Sequence, residues 1–153
     1  MGRVVMGSGW MVVSAVLVFG AGGCATGQQQ AAAPSVYLQL DGRQGIAKIV
    51  DDFVANVVAD DRINARFKAL QPALVFKLKS YLADQICDAT GGPCAYVGRD
   101  MKTTHKGMNV TEGEWNATVE ALVKALDKNN VPAGAKSALL GALGPMKTDI
   151  VGQ

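Results

Sequence analysis

The chain contains one histidine, His105, and its neighbourhood suggests what that imidazole could do. Met101 and Met108 lie on either side, Trp115 and Val119 follow, and Lys102 and Lys106 flank it. A neutral imidazole is the commonest metal ligand among side chains. Set among apolar groups with cations at the edge, it suits a metal held inside an apolar, acid-bearing group. Spacing alone does not separate such a ligand from an ordinary surface or core histidine.

Cysteine is the second reactive type, at Cys24, Cys87 and Cys94. Cys87 and Cys94 flank Thr90-Gly91-Gly92-Pro93, where the chain can turn sharply. In an oxidising compartment they can pair; otherwise they are two free thiols, one buried on a helix. A disulfide is the favoured reading. Zinc is disfavoured, since it takes four ligands and no histidine is close in sequence. Asp51-Asp52 and Asp60-Asp61 invite a metal reading but fit a solvated face and a helix start better. Lys and Arg are scattered and the formal charge is only +2, so no basic stripe for nucleic acid is present. Aromatic residues, at 6%, are too few for base-stacking platforms.

The elements that must position these groups are helices. From Gly45 to Val58, Ile46, Ile49, Val50, Phe53, Val54, Val57 and Val58 recur at helical spacing. A short helix is expected around Ile63 to Leu70. Another begins at Pro72, with Leu74, Leu78, Tyr81, Leu82, Gln85 and Ile86 on one face, and stops at Gly91-Gly92-Pro93. Cys94 to Asp100 reads as a loop, and Met101 to Lys106 as a short helix carrying His105. Thr111 with Glu114 forms a capping box, ahead of a stripe of Trp115, Val119, Leu122, Val123 and Leu126. Asn129 to Pro132 is a turn. The last helix, Ala135 to Val151, is weakened by Gly141, Gly144 and Pro145. No alternating run supports a strand. The fold class is all-α.

Ahead of the domain, WMVVSAVLVFG from Trp10 is about the length of a signal-peptide core and short for a bilayer span. Gly20 to Gly23 and then Cys24 resemble a bacterial lipoprotein signal, with Ala21 where Leu is usual. The expectation is a signal peptide over 1–23, Cys24 as lipidated first residue and membrane anchor, a flexible tether over 24–35, and a domain over 36–153. Ordinary cleavage and secretion is the rival reading. Either places the protein outside the cytoplasm, in the periplasm or at the cell envelope.

An all-helical domain of this size with several glycine breaks is small for its apolar content. One explanation is that its helices pack on a flat apolar cofactor as well as on each other. Haem is such a group and needs one strong axial ligand, usually histidine; Lys102 and Lys106 could reach its propionates.

Two stretches carry a resemblance. Ser35–Phe67 is similar to the opening of group I truncated haemoglobins. Asp84–Leu122 resembles that family's central signature: a Gly-Gly-Pro break, Tyr-x-Gly, a Met-Lys pair and then His. The likeness spans about residues 36–151. It implies a two-over-two helical sandwich around haem b, with His105 as proximal iron ligand. It places Phe53, Phe67, Met101, Val110 and Trp115 in the haem pocket, and Tyr96 and Lys102 near the propionates. Gly91 and Gly92 match the break before the proximal loop. On the distal side Val54 stands where many members have tyrosine, Leu82 where many have glutamine, and Leu78 at the gate. Tyr81 falls where some members supply a sixth ligand, with Gln85 as the other nearby polar candidate. The implied function is binding of O2, NO or CO, extending to NO detoxification with a separate reductase, since no flavin or nucleotide motif is present. A non-catalytic redox, gas-sensing or haem-handling lipoprotein is the alternative.

Overall fold

The computed structural model describes residues 34–153. The leader, Cys24 and the tether up to residue 33 lie outside the described residues. Seven α-helices follow: α1 (Val36–Gln39), α2 (Gly42–Ala59), α3 (Ala65–Lys68), α4 (Pro72–Ala89), α5 (Met101–His105), α6 (Glu112–Lys128) and α7 (Ala133–Leu143). A 3₁₀ helix, Gly144–Asp149, continues α7. Among the described residues the only β pairing is an isolated bridge between Val110 and Val151.

Local signals explain most boundaries. Ser35 caps α1, its hydroxyl accepting from the Leu38 N–H. Pro72 starts α4 at a position where a missing N–H costs nothing. Thr111 and Glu114 form the expected capping box on α6. The expected last helix is divided: the α form ends at Leu143, and Gly144-Pro145 enters the 3₁₀ turn instead. The proline supplies no N–H and its ring crowds the preceding turn, so the chain tightens there. Helix α1 and the first turn of α2 lie ahead of the expected start at Gly45.

Helix α2 is the hub, packing on both α6 and α4, while α4 also meets α7. Ile46, Ile49 and Val50 of α2 are almost fully buried, together with Leu126 and Leu139. Phe53 packs between this cluster and a second one of Val57, Ile63, Ala117 and Ala121. On α6, Ala117, Ala121 and Ala125 are buried to 2% or less, whereas Trp115, Val119 and Val123 stay half-buried. Small side chains allow the close α2–α6 approach, and the Asn56 amide donates across it to the Ala121 carbonyl at 3.0 Å. The expected α6 stripe of large residues therefore covers only part of its buried face.

Cys87 and Cys94 form a disulfide, with Cα atoms 5.8 Å apart. It ties the end of α4 to the loop before α5. Gly91 turns the chain there with φ +76°. At Gly92 a Cβ would fall 2.6 Å from the Cys87 sulfur and 2.5 Å from the Tyr37 ring, so only glycine fits.

Candidate functional site

Helix α4 carries two apolar faces. At about 100° per residue, Val75, Leu82, Ala83 and Ile86 share one face and Leu74, Leu78, Tyr81 and Gln85 the next, about 100° round. The first fills the core. The second does not: Leu78, Tyr81 and Gln85 are half-buried and Leu74 is exposed. What this second face meets is the segment around His105. The Gln85 amide nitrogen lies 3.5 Å from the Met101 sulfur on α5 and 3.4 Å from the Met146 sulfur on the 3₁₀ helix. The Tyr81 ring stands edge-on to Tyr96, with centroids 6.3 Å apart, and the Lys77 ammonium lies 5.6 Å from the Tyr81 ring centre.

Helix α5 is placed by its own cap. The Asp100 carboxylate accepts the Thr103 N–H at 2.8 Å, and this bond holds the acid below its ordinary range. The preceding loop is pinned twice: the Asp88 carboxylate accepts the Tyr96 N–H, and the Tyr96 hydroxyl donates to the Arg99 carbonyl at 2.9 Å. Burial pushes the Tyr96 phenol upward.

His105, the last residue of α5, is half-buried. Its Nδ1 lies 2.8 Å from the Met101 carbonyl oxygen. A carbonyl can only accept, so Nδ1 carries the proton. In the neutral ring Nε2 then keeps its lone pair, which is the tautomer a metal needs. The backbone thereby sets both the tautomer and the orientation of the ring.

The other expected residues fall as follows. Phe53 and Phe67 pack on the Val57–Ala121 cluster and are half-buried. Val54 is 5% exposed and belongs to the main core, and Leu82 packs against that core from α4. Val110 and Trp115 are half-buried and Lys102 is exposed. Gln85 is engaged by the two methionine sulfurs. Met146 is a contact that helical period does not single out; its sequence signal is the Gly144-Pro145 break that carries the chain toward α5.

The acidic pairs build nothing metal-like. Asp60 pairs with Arg62 at 2.7 Å, and Arg62 with Glu120. Asp61 meets Asn64 and Lys68, and Lys128 and Lys79 take up Asp52 and Asp51. Among the described residues no group of three His, Cys, Asp or Glu side chains converges. A surface hollow lined by Asn56, Asp60, Asp61 and Lys124 includes no residue of the His105 region.

The bacterial-like globin family matches residues 35–151. The chain belongs to that family. Its relatives place it within group 1 of the truncated globins. It is 28% identical over 116 residues to a group 1 truncated haemoglobin of Mycolicibacterium paratuberculosis, covering 76% of this chain and 83% of that one. It is 32% identical over 98 residues to one from Tetrahymena thermophila, covering 64% and 78%. Among solved structures, this globin superposes on truncated haemoglobin of Tetrahymena pyriformis with TM-score 0.73 and 25% identity, over 78% of this chain and all of that one. It also matches the 2/2 haemoglobin of Synechococcus, a structure with covalently attached haem, at TM-score 0.69 and 27% identity, over 77% and 98%. The fold is therefore the two-over-two globin sandwich. Its second α4 face and the His105 segment form the two walls of the candidate site.

Proposed function

We propose that the protein binds haem b through His105 and uses it to bind a diatomic gas. The observation that carries this is the Nδ1 hydrogen bond to Met101, which reserves Nε2 for iron. Leu78, Phe53, Met101, Val110 and Trp115, which the resemblance assigns to the haem pocket, are half-buried apolar groups of the kind that suit a flat porphyrin. Lys102, with Lys106 beside it, is exposed and suited to pairing with propionates. Family membership supports the same cofactor. When bound, haem supplies an iron that takes up O2, CO or NO; the chain supplies the axial nitrogen and the shape and polarity of the pocket.

The resemblance puts Val54, Leu78 and Leu82 on the distal side; Val54 and Leu82 pack into the main core and Leu78 is half-buried, and none of the three carries a hydrogen-bond donor. A donor to polarised oxygen is worth about 1–3 kcal/mol in a dry pocket, so its loss speeds release by roughly 5- to 150-fold. Gas binding to the reduced, haem-loaded protein tests this. CO should bind reversibly and oxygen should leave fast; a very slow oxygen off-rate would show that Tyr81 or Gln85 reaches the ligand and that the pocket is not apolar.

The finer reading is NO detoxification at the cell envelope. Conversion of NO and O2 to nitrate consumes one electron, and with no flavin or nucleotide motif in the chain that electron would come from a partner reductase. Export through the leader, with a lipid on Cys24, is supported by the Cys87–Cys94 disulfide, a bond that persists in oxidising compartments. Nitrate formed on mixing the oxygenated protein with NO tests the chemistry, and mass spectrometry of the mature N-terminus tests the anchor.

A further inference from the structure

Helix α5 has five residues, none of them fully buried. Its principal packing partner among the helices is the 3₁₀ helix, not the core. Beyond that helix the chain runs alongside the loop that follows His105. The Gly152 N–H donates to the Val110 carbonyl at 2.9 Å, the Asn109 N–H donates to the Gln153 carbonyl, and Val110 and Val151 form the fold's isolated bridge. An ion pair of Lys147 with Glu112 fixes the same segment to the start of α6. On the other side, Gln85 reaches both Met101 and Met146 and joins α4, α5 and the 3₁₀ helix at one point.

We propose that Gly144–Gln153 is a strap that positions His105, and that Gly152 and Gln85 are positioning residues for the axial ligand. The inference rests on the haem reading above. A five-residue helix has too few internal hydrogen bonds to hold a rigid direction by itself. The strap supplies the missing constraint from outside, through backbone bonds four and five residues beyond His105. Gly144-Pro145 makes this possible by breaking α7, so that the chain arrives beside α5. Gly152 itself adopts φ +75°, which proline cannot reach and most side chains resist.

The test compares three forms of the haem-loaded protein with wild type: Gly152→Pro, which removes the N–H and the backbone angle; deletion of Gly152–Gln153, which removes both bonds without adding a ring; and Gly152→Asn, which keeps the N–H and tolerates the left-handed angle. The readouts are the iron–histidine stretching band of the ferrous protein, the rate of haem loss, and amide exchange at Asn109 and Val110 in the haem-free protein. The first two variants should shift and broaden the band, lose haem about tenfold faster and expose those amides, while Gly152→Asn stays close to wild type. An unshifted band in a folded deletion variant overturns the strap. Wild type that takes up haem with no iron–histidine band overturns the functional reading, and this inference with it. Gln85→Leu should move the band less, because only the sulfur contacts are lost; a Gln85→Leu effect larger than the deletion's would also overturn the assignment.

Discussion

The α2–α6 contact and the His105 segment use opposite kinds of side chain. At the first, alanines on α6 let two long helices close on each other, and Leu126 and Ile46 behind them exclude water completely. At the second, large groups such as Trp115, Tyr81, Met101 and Met146 remain half-buried, and short-range polar contacts hold the backbone in place. The first region is complete by itself. The second leaves large apolar groups half-buried, and on the reading proposed here haem would cover them, each Å² of that surface being worth about 25 cal/mol. On that reading stability belongs to one region and function to the other.

Substitutions should divide along that line. Leu126→Ala leaves a cavity where nothing can collapse and should cost about 2–5 kcal/mol; chemical denaturation should show the same loss with and without haem. Equal loss for Trp115→Ala in the haem-free protein would erase the distinction between the regions. The disulfide comes next. Closing so short a loop stabilises by about 2–3 kcal/mol on chain entropy, so Cys94→Ser should lower the denaturation midpoint and loosen the loop leading to α5. Thr111→Ala removes half of the capping box and should cost about 1 kcal/mol in the denaturation midpoint, chiefly fraying the start of α6.

The smallest effect is electrostatic. Hydrogen bonds from Arg62 hold the Asp60 carboxyl down to about 2, and the Thr111 N–H and Arg66 hold Glu114 below its usual range. Both acids titrate lower in the folded chain than in the unfolded one. Their contribution is thus fully present above about pH 4.5 and is lost as pH falls toward 2. Thermal melts across that interval should show the drop, and Arg62→Ala should flatten it. Because these groups are exposed, the effect should shrink further at high salt.

Much of the scaffold was legible in the sequence. Period, Pro72, the Gly91-Gly92-Pro93 stop and the Thr111–Glu114 pair each act within a few residues, so α2, α4, α5 and α6 could be read directly. Helix α1 could not, since four residues show no period. The true α6 contact was hidden because a stripe of large apolar residues attracts attention and alanines do not. His105 was legible as a lone imidazole, but its hydrogen bond to Met101 was not, because it depends on a backbone placed by the Asp100 cap. The contact of Gln85 with Met101 and Met146 links three separate elements across 61 residues, and no local pattern announces it.

The account depends on the imidazole of His105, and one comparison reaches it directly. Wild type and His105→Gly are titrated with haem, with and without added imidazole, and followed by optical spectra of the ferric and ferrous states. The expected result is tight uptake by wild type, weak uptake with an altered spectrum in the variant, and restoration of the wild-type spectrum when free imidazole fills the gap. A variant that binds haem as tightly as wild type, with the same spectrum and no response to imidazole, would contradict it.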